Sequence, residues 1–191
     1  MLASGSPRRS ELIAHLGVPF RVVPSGFEEH GPGTDALARV RANATGKARD
    51  VAAREGVPDG GAVLGADTEV ALDGHTLSKP ADEADARRML TALSGRTHQV
   101  LTAVTLITAA GDRCEVAQAQ VHVRDITPEV MDWYLATGEW HDRAGAYAIQ
   151  GSGGALVRDI VGDHTGVVGL PLPLLADMLA QAGLWPPAHA G

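Results

Sequence analysis

Two long runs of β-forming residues, 98–107 and 113–123, are separated by little more than Ala110-Gly111-Asp112. Runs this long, this close and joined through a glycine turn fold as an antiparallel pair. Val104 and Leu106 fall on one face of the first run, and Val121 and Val123 share a face of the second. Side chains alternate along a strand, so such faces need an apolar cover.

The rest of the chain alternates between helical and β patterns. Ser6-Pro7 opens a helix, with Ser6 as the expected N-cap, Leu12, Ile13 and Leu16 on its apolar face and Gly17 at its end. A second helix is expected over 34–54, with Leu37, Val40, Ala44, Ala48 and Val51 near helical spacing and Gly46 weakening its middle. Further helices are expected over 82–93, from Thr127-Pro128 to about 137, and over 171–182. Short strands are expected over 1–3, 20–23, 62–66 and 155–161, and Asp73-Gly74 marks a hairpin within 69–77. Segments 26–33 and 145–154 read as loops, the second lining something. The fold class is therefore α/β: a mixed central sheet with antiparallel pairs and flanking helices. Residues 1–185 read as one domain and 186–191 as a tail.

Composition narrows the function. A single cysteine, Cys114, excludes an internal disulfide and a cysteine-based zinc site, and is expected as a half-buried strand residue. The most apolar stretch, 165–184, is broken by Pro171, Pro173 and Asp177, so no membrane span is expected, and no signal peptide is visible. The net charge of −7 argues against nucleic acid or anionic membrane as a partner. These features point to a cytoplasmic protein. They leave open an anionic small molecule, provided that positive charge is gathered locally. The eight histidines show no metal-ligand spacing.

Four short constellations carry chemistry. In Ser4-Gly5-Ser6-Pro7-Arg8-Arg9 a tight turn enters a helix, where free N–H groups attract phosphate. Two arginines in a first helical turn are unfavourable to the helix itself, but suit a bound anion. Two solvated arginines on a surface turn are the plain alternative. In Gly65-Ala66-Asp67-Thr68 a carboxylate ends an apolar strand, where it could ligate a hard cation, accept a proton from water, or simply cap a turn. Lys79-Pro80 places an ammonium on extended chain, beside a cleft or on the surface. The segment 142–151 combines small residues with Gln150, whose amide can read a base edge.

Taken in order, Leu2-Ala3-Ser4-Gly5-Ser6-Pro7-Arg8-Arg9, Glu28-Glu29, Lys47-Ala48, Gly65-Ala66-Asp67-Thr68, Lys79-Pro80 and Leu93-Ser94-Gly95 with His98 and Val100 resemble the Maf family of nucleoside triphosphate pyrophosphatases. Arg143-Ala144-Gly145-Ala146-Tyr147, Ile149-Gln150-Gly151 and Val168-Gly169-Leu170-Pro171 continue the resemblance, which covers residues 2 to about 179. It implies two lobes around a nucleotide cleft and hydrolysis between the α and β phosphates. By the same resemblance Asp67 accepts the proton of the attacking water. Glu29 and Asp67 hold a divalent cation, magnesium or manganese. Ser4, Arg8, Arg9, Lys47 and Lys79 contact the phosphates, and a homodimer is the family's common state.

Arg8, Thr68 and Gln150 match the branch of the family that acts on dTTP and UTP rather than the one that acts on 7-methyl-GTP. Modified pyrimidine nucleotides are expected alongside. Two alternatives are a pyrophosphatase for ITP and XTP, and a non-enzymatic binding role in cell division and septum inhibition. The chain departs from the family in Arg143, usually a lysine, and Ala148, usually a glycine. Its first strand is short, and a start codon further upstream is an alternative.

Overall fold

The antiparallel pair forms the middle of a larger sheet. The computed structural model describes residues 1–30 and 35–187. Five strands, β1 (Val63–Leu72), β2 (His75–Leu77), β3 (Thr97–Thr108), β4 (Gly111–Val123) and β5 (Val157–Val161), lie in the order β2-β1-β3-β4-β5, each pair antiparallel. β3 and β4 pair from Thr97↔His122 to Thr108↔Gly111. β1 and β2 turn at Asp73-Gly74, whose φ angles of 51° and 77° are those of a type I′ hairpin. Among the described residues, parallel contacts enter only at Leu2, which bridges Leu64 and Val22.

The expected strands at 1–3 and 20–23 are thus single bridges. Pro19 and Pro24 bracket the second segment and have no N–H to extend a ladder. The expected strand 62–66 is instead the first part of β1, which continues without a break to Leu72. Asp67 is therefore in mid-strand, not at a strand's C-terminal end. Cys114 is half-buried on β4, as expected.

The helices are α1 (Pro7–Ala14), α2 (Ala36–Glu55), α3 (Glu83–Leu93), α4 (Pro128–Ala136), α5 (His164–Val168) and α6 (Leu172–Gln181). Asp35, Asp82 and Thr127 cap α2, α3 and α4 through their side chains. Ser6 sits at the N-cap of α1, but its side chain makes no capping bond. The expected α2 start at Thr34, the end of the loop over 26–33 and the last four residues of the tail lie outside the described residues. The one-turn α5 is too short for a sequence pattern to reveal, and Asp163 builds it by accepting from Thr165 and Gly166 N–H. Two 3-10 turns, Ala144–Ala146 and Ser152–Leu156, overlap the two ends of the loop expected over 145–154. No helix of the described residues is long and apolar enough to cross a membrane.

The sheet separates two layers. On one face, Val40, Ala44, Ala48 and Val51 of α2 pack against Val63, Leu101, Ala103 and Ile107. Gly65 permits that contact, because a Cβ there would lie 2.3 Å from the Ala44 carbonyl oxygen. The opposite face carries two clusters. One joins α1 and α6 to Leu64, Ala66, Val104 and Leu106, and the other joins α3 and α4 to Val70, Val100, Val121 and Val123.

β1 is an edge for only part of its length. Leu2 bridges it at Leu64, and β2 pairs with it from Val70 to Leu72. Between these additions, residues 66–69 pair with β3 on one side and have no strand on the other among the described residues. Side chains from both faces of β1 can reach around this gap.

Candidate functional site

At that gap, α2 and β1 present matching rows of polar side chains. Arg39, Asn43 and Lys47 are four residues apart on α2, and Asp67 and Glu69 are two apart on β1. Four helical residues rise about 6 Å and two strand residues about 6.8 Å, so the rows stay in step. Lys47 Nζ donates to Asp67 Oδ1 at 2.7 Å, and Asn43 Nδ2 donates to Asp67 Oδ2 at 3.1 Å. Arg39 grips Glu69 with Nε and Nη2 at 2.6 and 2.5 Å, a bidentate pair. All five side chains are buried, and each charge in the rows has a partner, as a dry interior requires.

Lys47 also meets Glu29, at 2.5 Å from Oε1, so one ammonium bridges two carboxylates. Burial opposes ionisation of Glu29. The hydrogen bond and charge of Lys47, helped by Lys79 and Arg9, prevail and hold its carboxyl below the ordinary value.

Positive charge gathers opposite these carboxylates. Arg9 donates to Gly169 O at 2.9 Å, Ser4 Oγ at 3.3 Å and Thr68 Oγ1 at 3.2 Å. All three acceptors are neutral, so burial lowers its pKa, partly offset by Asp67 and Glu29. The pKa of Arg8 is lowered by burial and by the charges of Arg143 and Arg9. Arg8 has no hydrogen bond or ion pair within the described residues. Arg143 has a buried Nε with no partner among them. Crowded, under-partnered guanidinium groups are what an anion would satisfy.

The Thr68 hydroxyl belongs to a chain. Thr102 Oγ1 lies 3.1 Å from Thr68 Oγ1 and 2.8 Å from Gly166 O. The Thr102 hydroxyl is the donor in both contacts, its one proton shared between the Gly166 carbonyl and Thr68 Oγ1. Thr68 is then an acceptor towards Arg9, on the face of β1 opposite Asp67.

One cleft of about 740 Å³ gathers Ser4, Arg8, Arg9, Glu29 and Lys47 from the sequence expectations. Asp67, Thr68, Lys79, Arg143 and Gln150 line the same cleft. Its more apolar part is made by Val70, Val100, Tyr147, Ile149 and Val167. The sequence reading did not single out Arg39, Asn43 or Glu69, which also line it. Their signal was present: polar residues at four-residue spacing beside the buried stripe of α2, and at two-residue spacing in an apolar strand.

The donor set bears on a metal. No group of three or more His, Cys, Asp or Glu side chains able to hold one occurs among the described residues. Arg39 occupies the carboxylate of Glu69, and of the other carboxylates lining the cleft, Glu29, Asp67 and Asp142, the first two lie together. These two already converge on one cation, the ammonium of Lys47. Such a pair fits a hard divalent ion that takes its other ligands from water and phosphate, as magnesium does.

A family model described as Maf-like protein matches residues 1–182. A protein of Symbiobacterium thermophilum named dTTP/UTP pyrophosphatase is 48% identical over 186 residues, covering 96% of this chain and 93% of its own. One of the same name from Moorella thermoacetica is 48% identical over 190 residues, covering 96% and 95%. Another, from Deinococcus radiodurans, is 45% identical over 184 residues, covering 96% and 93%.

Proposed function

The chain belongs to the Maf-like family, and on that premise we propose that it is a nucleoside triphosphate pyrophosphatase acting on dTTP and UTP. It hydrolyses them, and modified pyrimidine relatives, to the monophosphate and pyrophosphate. The observation that carries this reading is the cleft at the open stretch of β1. There the cations Arg8, Arg9 and Arg143 gather in one wall, and Glu29 and Asp67 converge on a single ammonium.

Each residue has a task in this reading. Arg8, Arg9, Lys79 and the hydroxyl of Ser4 take the triphosphate oxygens, and Lys47 turns from the carboxylates towards them. Charge-assisted hydrogen bonds of this kind contribute roughly 1.5–3 kcal/mol each. Asp67 accepts a proton from water as its oxygen bonds to the α phosphorus. The bond from that phosphorus to the bridging oxygen breaks, and pyrophosphate leaves with the electron pair. Arginines aimed at the phosphates stabilise the charge that spreads over them in the transition state. Glu29 and Asp67 would hold magnesium or manganese, which when bound supplies Lewis-acid neutralisation of the phosphate charge. Gln150 reads the base edge, with Arg8 and Thr68 contributing to the choice of pyrimidine. The net charge of −7 supports free nucleotide rather than nucleic acid as the substrate.

Pyrophosphate release from dTTP, UTP, ITP and 7-methyl-GTP, measured side by side with magnesium or manganese, tests the assignment. Preference for dTTP and UTP is expected, and a purine preference would replace it with the ITP/XTP reading. Asp67→Asn is expected to lower turnover by about 10²-fold or more while the fold persists, since a positioned base contributes that much. A cell-division effect surviving that substitution would favour a binding role.

A further inference from the structure

We propose that Asn43 is a positioning residue that fixes the separation of the Glu29 and Asp67 carboxylates, an inference that rests on the reading of these two as the cation pair.

Asn43 is 2% exposed and sits within α2. Both ends of its amide are used by other elements. Oδ1 accepts from the N–H of His30 at 2.9 Å, and Nδ2 donates to Asp67 Oδ2 at 3.1 Å. A backbone N–H only donates and a carboxylate only accepts, so the orientation of the amide is fixed. His30 follows Glu29 in sequence. One side chain therefore ties the segment bearing the first carboxylate to an oxygen of the second.

The remainder of that segment is fastened along the same helix. Ser25 Oγ and Gly26 N–H both donate to Asp50 at 2.9 Å. The Phe27 ring occupies the space left by Gly46, where a Cβ would come within 2.3 Å of it. Residues 25–30 thus run antiparallel to α2, fixed at Asp50, Gly46 and Asn43. Glu29 lies between the last two of these points.

Lys47 also spans the pair, at 2.5 and 2.7 Å. It cannot hold the spacing during a reaction in which its ammonium turns to phosphate. The neutral amide of Asn43 has no such competitor, so its two bonds persist when Lys47 leaves. Residues that orient ligating carboxylates in this way commonly govern metal affinity and activity by 10–100-fold.

The test uses the full chain with Asn43→Ala and the milder Asn43→Ser, whose hydroxyl is too short to reach both groups. Val40→Ala, a buried apolar site on the same helix, is the control for simple destabilisation. Manganese binding is read by electron paramagnetic resonance, with and without a non-hydrolysable dUTP analogue, and kcat and KM are read with dTTP. Both Asn43 variants are expected to weaken manganese binding and to lower kcat by about tenfold or more, with KM changed by less than about threefold. Val40→Ala should lower Tm and leave manganese binding and kcat near those of the parent. The proposal is overturned if the Asn43 variants bind and turn over within about twofold of the parent, if Val40→Ala reproduces their losses, or if the parent binds no manganese in either state. A parent that binds manganese but cleaves no triphosphate refutes the enzymatic reading instead, and the manganese data still decide the role of Asn43.

Discussion

Lys47 Nζ lies 2.7 Å from Oδ1 of Asp67, with both side chains buried. The same ammonium meets Glu29, so it holds the position between two carboxylates that a divalent cation would otherwise take. Lys47→Met removes the cation and leaves Asp67 buried without its charge partner. Breaking a buried pair in this way costs roughly 3–5 kcal/mol. The variant should melt below the parent and lose nearly all pyrophosphate release. Millimolar magnesium should raise its Tm more than that of the parent, because the place between the carboxylates has become free. Equal magnesium shifts in the two proteins, read by differential scanning fluorimetry, would count against this account.

Three glycines separate packing from backbone freedom. A Cβ on Gly65 would lie 2.3 Å from the Ala44 carbonyl oxygen, and backbone cannot yield as a side chain can. Gly65→Ala should therefore push α2 off β1 and destabilise the protein by about 1–3 kcal/mol or more. Gly46→Ala should raise helix propensity by about 1 kcal/mol, yet displace Phe27 and with it the segment that carries Glu29. Its Tm should change less than its kcat does. Gly5 has open space around its Cβ direction, so Gly5→Ala should leave Tm nearly unchanged. Thermal melts and turnover of the three variants check the order.

The Gly46 position shows where sequence reading stops. By propensity alone it weakens a helix, and only the Phe27 ring against it reveals the need for a missing side chain. Asp67 is similar. Its place in an apolar run was legible, but the run extends through Asp67 to Leu72, because Glu69 is neutralised by an arginine 30 residues away. The central hairpin, the Asp73-Gly74 turn and the helix start at Thr127-Pro128 were legible because their causes are local. Ser4, Arg8, Lys79 and Gln150 could be placed together only through the family resemblance. Their meeting in one cleft depends on a stretch of β1 whose edge away from β3 is left open, which no local pattern encodes.

Arg39 and Glu69 offer a double-mutant test of the buried polar rows. Arg39→Met strands the Glu69 carboxylate beside Asp67, and Glu69→Leu takes the bidentate carboxylate away from the guanidinium. Each single change should cost roughly 3–5 kcal/mol. The double variant should cost clearly less than the sum, since no buried charge is left without its opposite. Additive losses in urea melts would mean that the pair contributes no coupling despite its bidentate geometry.

His98 makes stability depend on pH. Its Nε2 lies 2.9 Å from the Tyr147 hydroxyl, and its Nδ1 has no partner among the described residues. Burial, and then the charge of His122, lower its pKa from 6.5 to about 4. A proton added to the folded protein leaves a buried N–H without an acceptor, whereas the unfolded chain takes it up near pH 6.5. The folded pKa is the depressed one, so the contribution is complete above pH 6.5 and is lost as pH falls towards 4. The shift corresponds to about 3 kcal/mol. His98→Gln keeps a partner for Tyr147 but does not titrate. The stability gap between parent and variant, measured by urea melts, should shrink by most of that amount between pH 7 and about 4.5. Tyr147 lines the cleft, so acid should loosen a wall of the nucleotide site before it unfolds the sheet. A gap that stays constant over this interval would show that His98 is not the group responsible.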